Sequence, residues 1–424
     1  MHCRQQAVLT GTTPREEPVR HVLMTMAADG TDVNLFDGPW QDSLPDASTL
    51  DVYVDGARTG QSPWSLTFSA GQRVEIRAAT DDAWFPVLWP GGFSADDAID
   101  CVASVDDALP RMMRGPASEW TSTQYGSGTR RYMFGNCSRL ASVPGSLLSN
   151  NPQLTDIGYA FSDCAGLRAV PEDLFAGCPS VTNAEYAFSF CTGLEALPEG
   201  LFRNNAAITC LQGTFNHCER LATVPEDLFA GCPAVTNLRY VFNGCHCLSA
   251  IPGGLFRNNP AVTSFLYAFN SCSDLVAVPE DLFSRSVAAT DFQCAFEWCA
   301  GLAAIPAGLF RNCAAARDFG FTFGWCSGLS EIPAGLFDGC PEATRFYGTF
   351  QGCDGLVSVP SDLFATQSRT GKIGEVPYCF SGCSSVVSAL PEPWEWESVP
   401  SSHRYYAKDC AKASNYSSVP SGWK

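Results

Sequence analysis

The chain has 424 residues and a formal net charge of −18, from 44 acidic and 26 basic side chains. Hydrophobic residues make up 46%, ordinary for a globular protein, and no run of about 18 apolar residues is present to cross a membrane. A nucleic-acid binder of this size carries a basic stripe, and the even spread of Asp and Glu excludes that class of partner.

Residues 1–20 form a polar N-terminal tail without the apolar core of a secretory signal. Cys3 would be a lipoprotein's first mature residue only if a leader had been trimmed. A virion component, which leaves its host by lysis, needs no leader at all.

Over residues 21–100 apolar and polar residues alternate: Leu50, Val52, Val54; Trp64, Leu66, Phe68; Val74, Ile76, Ala78. Asp55-Gly56, Thr59-Gly60 and Ala70-Gly71 are turn signals between these runs. The pattern predicts a small antiparallel β-sandwich of immunoglobulin-like shape. Asp51-Val-Tyr-Val-Asp-Gly56 is similar to modules common on bacterial surface proteins. Trp84-Phe-Pro-Val-Leu-Trp89 is read as packing the sandwich or its seam, with an exposed docking patch as the alternative. Residues 101–130, rich in Ser, Thr and Gly, read as a linker and N-terminal cap.

Residues 131–390 are organised by a 27-residue repeat. Phe recurs nine times at this spacing from Phe134 to Phe350, followed three residues later by Cys (Cys137 to Cys353). Leu (Leu140 to Leu356) and then Pro (Pro144 to Pro360) complete the motif. A unit of this length cannot bury its own apolar face, so copies must stack. Within one copy, Leu238 and Tyr240 alternate with Asn237 and Arg239, which predicts a short strand with Leu238 and Tyr240 inward. A second column reads Asn151, Cys178, Asn205, Cys232, Asn259, Ser286, Cys313 and Cys340, as expected where a side chain bonds to backbone. The Glu-Asp-Leu-Phe after each Pro suits one helical turn.

Val235, Leu238, Tyr240 and Asn243 resemble the leucine-rich-repeat pattern. Ala160-Phe161-x-x-Cys164-x-x-Leu167-x-x-Val170-Pro171 resembles more closely the BspA-like repeats of bacterial and viral surface proteins. The resemblance implies a right-handed leucine-rich-repeat solenoid with a parallel β-sheet face. It also implies a role in adhesion, host recognition or viral attachment.

The 21 cysteines invite a disulfide or metal reading, and position opposes both. Fourteen fall in the two repeat columns, the total is odd, and no Cys-x-x-Cys pair occurs. Cys245-His246-Cys247 has metal-like letters, but Cys245 belongs to the core column. No metal, cofactor or catalytic residues are expected: none of the five His lies in a nucleophile or metal motif. The recurring Glu172-Asp173, Glu226-Asp227 and Glu280-Asp281 read as a solvated surface rather than an acid–base pair.

Beyond Phe350 the register slips: Phe380 follows after 30 residues rather than 27. Residues 391–424 carry Trp394, Trp396, Tyr405, Tyr406, Tyr416 and Trp423. They read as a C-terminal cap, with an aromatic ligand site as the alternative.

Subtracting the repeat columns leaves the outward, variable positions. Arg239, Leu266, Gln293, Arg345 and Tyr347 lie on the predicted strand face and include residue types that interfaces favour. Trp298 and Trp325, one turn apart and just before the column Cys, predict a stacked ridge about 5 Å in spacing. Packing against a neighbouring loop is the structural alternative. The expectation is a non-enzymatic recognition protein, a phage tail component or bacterial surface adhesin, binding a cell-surface protein or glycan. Its N-terminal domain would join other subunits of an assembly. A structural spacer is the second reading. Its place would be the virion tail or the cell surface.

Overall fold

The computed structural model describes residues 21–26, 30–33, 50–62, 65–78, 102–105 and 133–424. The N-terminal tail, the Trp84–Trp89 segment and most of the expected linker lie outside them.

Among the described residues the N-terminal part has seven strands, all paired antiparallel: β1 (His21–Met26), β2 (Gly30–Val33), β3 (Leu50–Val54), β4 (Ala57–Arg58), β5 (Leu66–Phe68), β6 (Arg73–Ala78) and β7 (Val102–Val105). Five form one sheet in the order β4-β3-β6-β1-β7, and β2 pairs with β5. Leu50, Val52, Leu66, Phe68, Val74 and Ile76 are buried, as their alternation requires. The β3–β4 turn places Asp55 and Gly56 at φ 49° and 80°, the left-handed pair that a two-residue hairpin favours. The Asp55 carboxylate accepts the Arg73 N–H at 2.9 Å, tying the turn to β6. Residues 102–105, read as linker from composition, are instead the edge strand beside β1. Four residues give too short an alternation to stand out from a Ser-rich stretch.

From residue 133 the chain is a solenoid. Parallel bridges link Asp156, Asn183, Cys210, Asn237, Ser264, Asp291, Asp318, Arg345, Glu375 and Ser402, each to the equivalent residue one turn on. The Phe column is buried throughout, its rings stacked at 5.3–5.7 Å from Phe161 to Phe380. A second buried column, Phe175 to Phe364, packs across it at tilted angles.

The predicted strand is replaced by consecutive tight turns. Val241, Cys245 and Leu248 each donate their N–H to the carbonyl three residues back (3.3, 3.2 and 3.0 Å). Side chains therefore enter the core every third residue at Val235, Leu238 and Val241, and again, one residue shifted, at Phe242, Cys245, Leu248 and Ile251. Tyr240, expected inward, is half-buried at the surface with φ 57°. Left-handed residues at Tyr240 and Gly244 interrupt any extended run, so each turn contributes one bridging residue rather than a strand. The turns are still laced together. The N–H groups of Leu238, Tyr240, Phe242 and Gly244 donate to the carbonyls of Ser264, Leu266, Ala268 and Asn270 in the next turn, at 2.8–3.4 Å.

The segment after each Pro likewise forms three-residue turns rather than a helix. One α-helix occurs among the described residues, α1 (Ala365–Thr370), at the 30-residue step. The register slip seen in the sequence is thus absorbed by a helix closed by left-handed Gly371 (φ 61°).

The thiols of the column are buried and each donates to the Phe carbonyl of the preceding turn. Cys164 reaches Phe134 at 3.0 Å, Cys245 reaches Phe215 at 3.2 Å and Cys353 reaches Phe323 at 3.0 Å. Among the described residues no cysteine is in a disulfide. In the second column Asn205 Nδ2 donates to the Phe175 and Cys178 carbonyls at 3.1 and 2.9 Å. Gln367, which the sequence reading left out of that column, makes the same pair of bonds to Phe337 and Cys340, both at 3.0 Å. Its position 27 residues after Cys340 was the available signal.

Beyond Arg345 the chain makes two further turns, at Glu375 and Ser402. Tyr406 is fully buried against Phe380, and Trp423 covers Tyr406 edge-on at 5.6 Å. Aromatic side chains therefore close the open end of the stack.

Candidate functional site

Two columns per turn stand on left-handed backbone, and most of their side chains reach the surface. The first contains Tyr159, Tyr186, Gly213, Tyr240, Tyr267, Cys294, Phe321, Gly348, Tyr378 and Tyr405, all with φ between 51° and 59°. The second contains Phe190, His217, Gly244, Ser271, Trp298, Trp325 and Gly352, with φ between 55° and 72°. Bulky residues in this region cost about 1–2 kcal/mol each. The cost is tolerated because each such N–H except that of Tyr405, in the last turn, bonds to the next turn: Trp298 to Gly324 at 2.8 Å and Trp325 to Gln351 at 2.6 Å.

Each outward ring leans toward the following turn. Trp298 stacks on Trp325 with centroids 4.9 Å apart and planes 3° from parallel. Phe190 stacks on His217 at 4.7 Å and 2°, and Tyr240 on Tyr267 at 4.8 Å and 7°. A stack ends where the next residue is Gly. A Cβ on Gly244 would stand 2.6 Å from His217 Nδ1, so only glycine admits the ring there. Burial pushes the His217 pKa down, opposed by the nearby Glu219 carboxylate.

In the C-terminal half the two columns meet. Trp325 stacks on Phe321 at 5.5 Å, Phe321 meets the Tyr347 ring edge-on at 4.5 Å, and Tyr347 meets Tyr378 at 5.7 Å. Tyr378 contacts Tyr405 at 5.4 Å, where the Arg404 guanidinium lies 4.5 Å from the ring centroid. Trp298, Trp325, Phe321, Tyr347, Tyr378 and Tyr405 thus form one continuous aromatic run across five turns. Trp298 is 50% exposed and Tyr347 is 37% exposed.

Of the seven residues singled out in the sequence, the structure brings together Trp298, Trp325 and Tyr347. Arg345 stands beside them, its guanidinium 3.3 Å from Asp318 and 3.8 Å from Glu375. Arg239 and Gln293 are half-buried in the same column as Tyr347 but four and two turns away. Leu266, expected outward, is buried at 7% exposure. It sits between Arg239 and Gln293, and a short apolar side chain between two long ones is easily covered. The adjacent column, read as a variable binding face, has a structural task. Asn237, Asp291 and Asp318 accept the N–H two residues on, in Arg239, Gln293 and Gly320, at 2.9–3.1 Å.

Sequence reasoning missed Phe321 and Tyr378, because a period of two assigned their column to the core, and it named Tyr405 only within the aromatic tail. It also missed a set of paired charges on the returning side. Arg257 bonds Glu226 at 3.0 Å and Asp227 at 2.6 Å, Arg311 meets Glu280 at 3.4 Å, and Arg203 meets Glu172. These pairs recur every second turn, and as exposed ion pairs they are screened by solvent.

Beneath Trp298 lies Glu297, 8% exposed, which accepts a bond from Asn270 Nδ2 at 2.8 Å. Burial pushes its pKa up, opposed by the Cys294 and Asn270 contacts. Among the described residues no group of three or more His, Cys, Asp or Glu is gathered as a metal ion requires, and Cys247 is exposed beside buried Cys245. No helix among them is long and apolar enough to cross a membrane.

No family model matches the sequence, and no curated protein matches it. Among solved structures the chain is similar to the Toll–Spatzle complex of Drosophila in its glycosylated form. The identity is 15% and the TM-score 0.34, over 63% of this chain and 38% of that one. A second Toll–Spatzle structure is similar at 16% identity and TM-score 0.30, over 60% and 38%. The TLR13–ssRNA13 complex is similar at 14% identity and TM-score 0.27, over 60% and 45%. The chain spans less than half the length of the structures it matches. At these scores the solenoid is defined by the chain's own inter-turn hydrogen bonds.

Proposed function

We propose that this is a non-enzymatic recognition protein of leucine-rich-repeat type. It binds a cell-surface protein through the aromatic run on its solenoid, as a phage tail component or bacterial surface adhesin. The observation that supports this reading is the run from Trp298 to Tyr405. Six rings are in contact on positions that the core does not need, and Trp298, Phe321, Trp325 and Tyr378 stand on backbone bonded to the next turn. Such rings lose little freedom on contact, and aromatic side chains dominate binding energy at protein interfaces.

The geometry favours a polypeptide partner over a glycan. A sugar stacks on the face of an aromatic ring, but Trp298 and Trp325 cover one another face to face. Trp325 is covered further by Phe321. The ring edges that remain suit the apolar and carbonyl groups of a protein.

The test is attachment of fluorescently labelled protein to a panel of intact bacterial and animal cells. Replacing Trp298 and Trp325 by Ala should reduce attachment at least tenfold with the fold retained. Unchanged attachment with an unchanged melt would remove the run from the site and leave the spacer reading.

A further inference from the structure

The column that holds Phe190 and Trp298 repeats on a longer scale than the single turn. Asp163, Phe190, His217 and Gly244 occupy successive turns, and Ser271, Trp298, Trp325 and Gly352 follow in the same order. Each set opens on a small polar residue and holds two rings stacked at 4.7 or 4.9 Å. Each closes on a glycine, where a Cβ would stand 2.6 Å from the second ring. The sets are two copies of one module, four turns apart.

Stacking covers one face of the first ring in each module. The other face looks toward Asp163 or Ser271, whose side chains are too short to hide it. Phe190 is accordingly 44% exposed and Trp298 50% exposed, whereas His217 and Trp325 are half-buried. An acid stands at each open face. The Asp163 carboxylate is exposed, accepts the Ser162 hydroxyl at 2.7 Å and meets no cation among the described residues. At Trp298 the acid is Glu297, linked through Asn270 to the Ser271 hydroxyl by two bonds of 2.8 Å. Just past the column lie Glu219, Arg220 and Asp274, so the strip as a whole is negative.

An aromatic face beside a carboxylate attracts a cation, and a guanidinium stacks there better than an ammonium. Four turns place the two open faces about 19 Å apart. In an extended chain, side chains six residues apart point the same way and span about 20 Å. We propose that Phe190 and Trp298 form a paired site for an extended basic segment of a protein, with arginines six residues apart. This rests on the recognition reading above and names the chemistry of its partner. Each guanidinium lies flat on an open ring face, with Asp163 or Glu297 as the nearest acid. Gly244 and Ser271 leave the column low between the rings, where the backbone of the segment passes.

The probe is the peptide Arg-Ser-Thr-Ser-Thr-Ser-Arg with blocked ends, titrated into the full chain and followed by proton NMR. Ring currents should move its Arg δ-methylene signals upfield, which charge attraction alone does not do. Phe190→Ala and Trp298→Ala should each weaken binding about two- to fivefold, on the order of one exposed cation–π contact. Phe190→Leu, which keeps apolar bulk without a ring, should weaken it equally with an unchanged melt. A peptide with one Arg replaced by Gln, or with its two Arg three residues apart, should bind more weakly by a similar factor. No upfield shift with the wild type, binding indifferent to spacing, or undiminished binding by Phe190→Leu would each overturn the proposal. So would displacement by maltoheptaose at equal concentration, which would give the ring faces to a sugar. Cell attachment separates this site from the reading on which it rests. Peptide binding as described, with attachment indifferent to Trp298→Ala and Trp325→Ala, strikes that reading and leaves the site standing. Attachment lost in that variant, with no peptide binding by the wild type, does the reverse.

Discussion

The Trp325 indole lies against the backbone of Gly352, so that a Cβ there would stand 2.6 Å from Trp325 Cδ1. Gly352 is also left-handed, at φ 71°. Two constraints on one residue make it the floor on which the Trp298–Trp325 stack rests.

Gly352→Ala should therefore lower stability by about 1–3 kcal/mol, from backbone strain and displacement of the ring. Chemical denaturation measures the loss, and near-ultraviolet circular dichroism reports the indole pair. Unaltered spectra with wild-type stability would mean that the ring does not depend on the glycine.

The buried thiols predict alkaline sensitivity. Burial pushes the Cys299 and Cys353 pKa values from 9.0 up to about 12. The folded state thus holds these protons more tightly than the unfolded one. Their contribution is complete below pH 9 and is lost as pH rises toward 12. Each should remove about 1.4 kcal/mol per pH unit in that window. Urea midpoints at pH 8, 9.5 and 10.5 should fall steadily, and a flat profile would contradict the burial.

At neutral pH the same thiols should resist alkylation in the folded protein, whereas exposed Cys247 should react. Mass spectrometry of briefly alkylated protein, digested afterwards, would show label at Cys247 and none at Cys164, Cys245 or Cys353. Label spread evenly over the column would count against the ladder.

Asn205 holds two buried carbonyls that no other side chain reaches in its turn. Asn205→Leu should cost about 0.5–1.5 kcal/mol, because both carbonyls keep a backbone partner (the Cys178 and Val181 N–H groups) and lose only the side-chain bonds. Asn205→Cys should cost less, because Cys232 occupies the next position and bonds the Phe202 carbonyl at 3.8 Å. Equal losses would show that packing, not the bonds, governs the column.

Leu248 and Leu275 are fully buried in a continuous stack. Either Leu→Ala change should lower stability by about 2–5 kcal/mol. A thermal melt at the wild-type temperature would place them outside the core.

The sequence by itself determined the 27-residue turn, the Phe, Cys and Leu columns, and the Asn/Cys column that bonds to backbone. Repetition made these legible, because a residue type kept at every turn must meet its own copies. The alternation in residues 50–78 likewise determined the buried faces of β3, β5 and β6. Tertiary structure decided the rest. Tyr240 and Leu238 sit two apart, as in a strand, but left-handed φ at Tyr240 and three-residue turns send one outward and one inward. No local preference announces that choice, since the strain at Tyr240 is held by a carbonyl 26 residues on, in Leu266. The aromatic run depends on the same fact. Trp325, Phe321, Tyr347 and Tyr378 are separated by 4 to 31 residues in the chain. They touch because stacking the turns converts each repeat length into one step of about 5 Å.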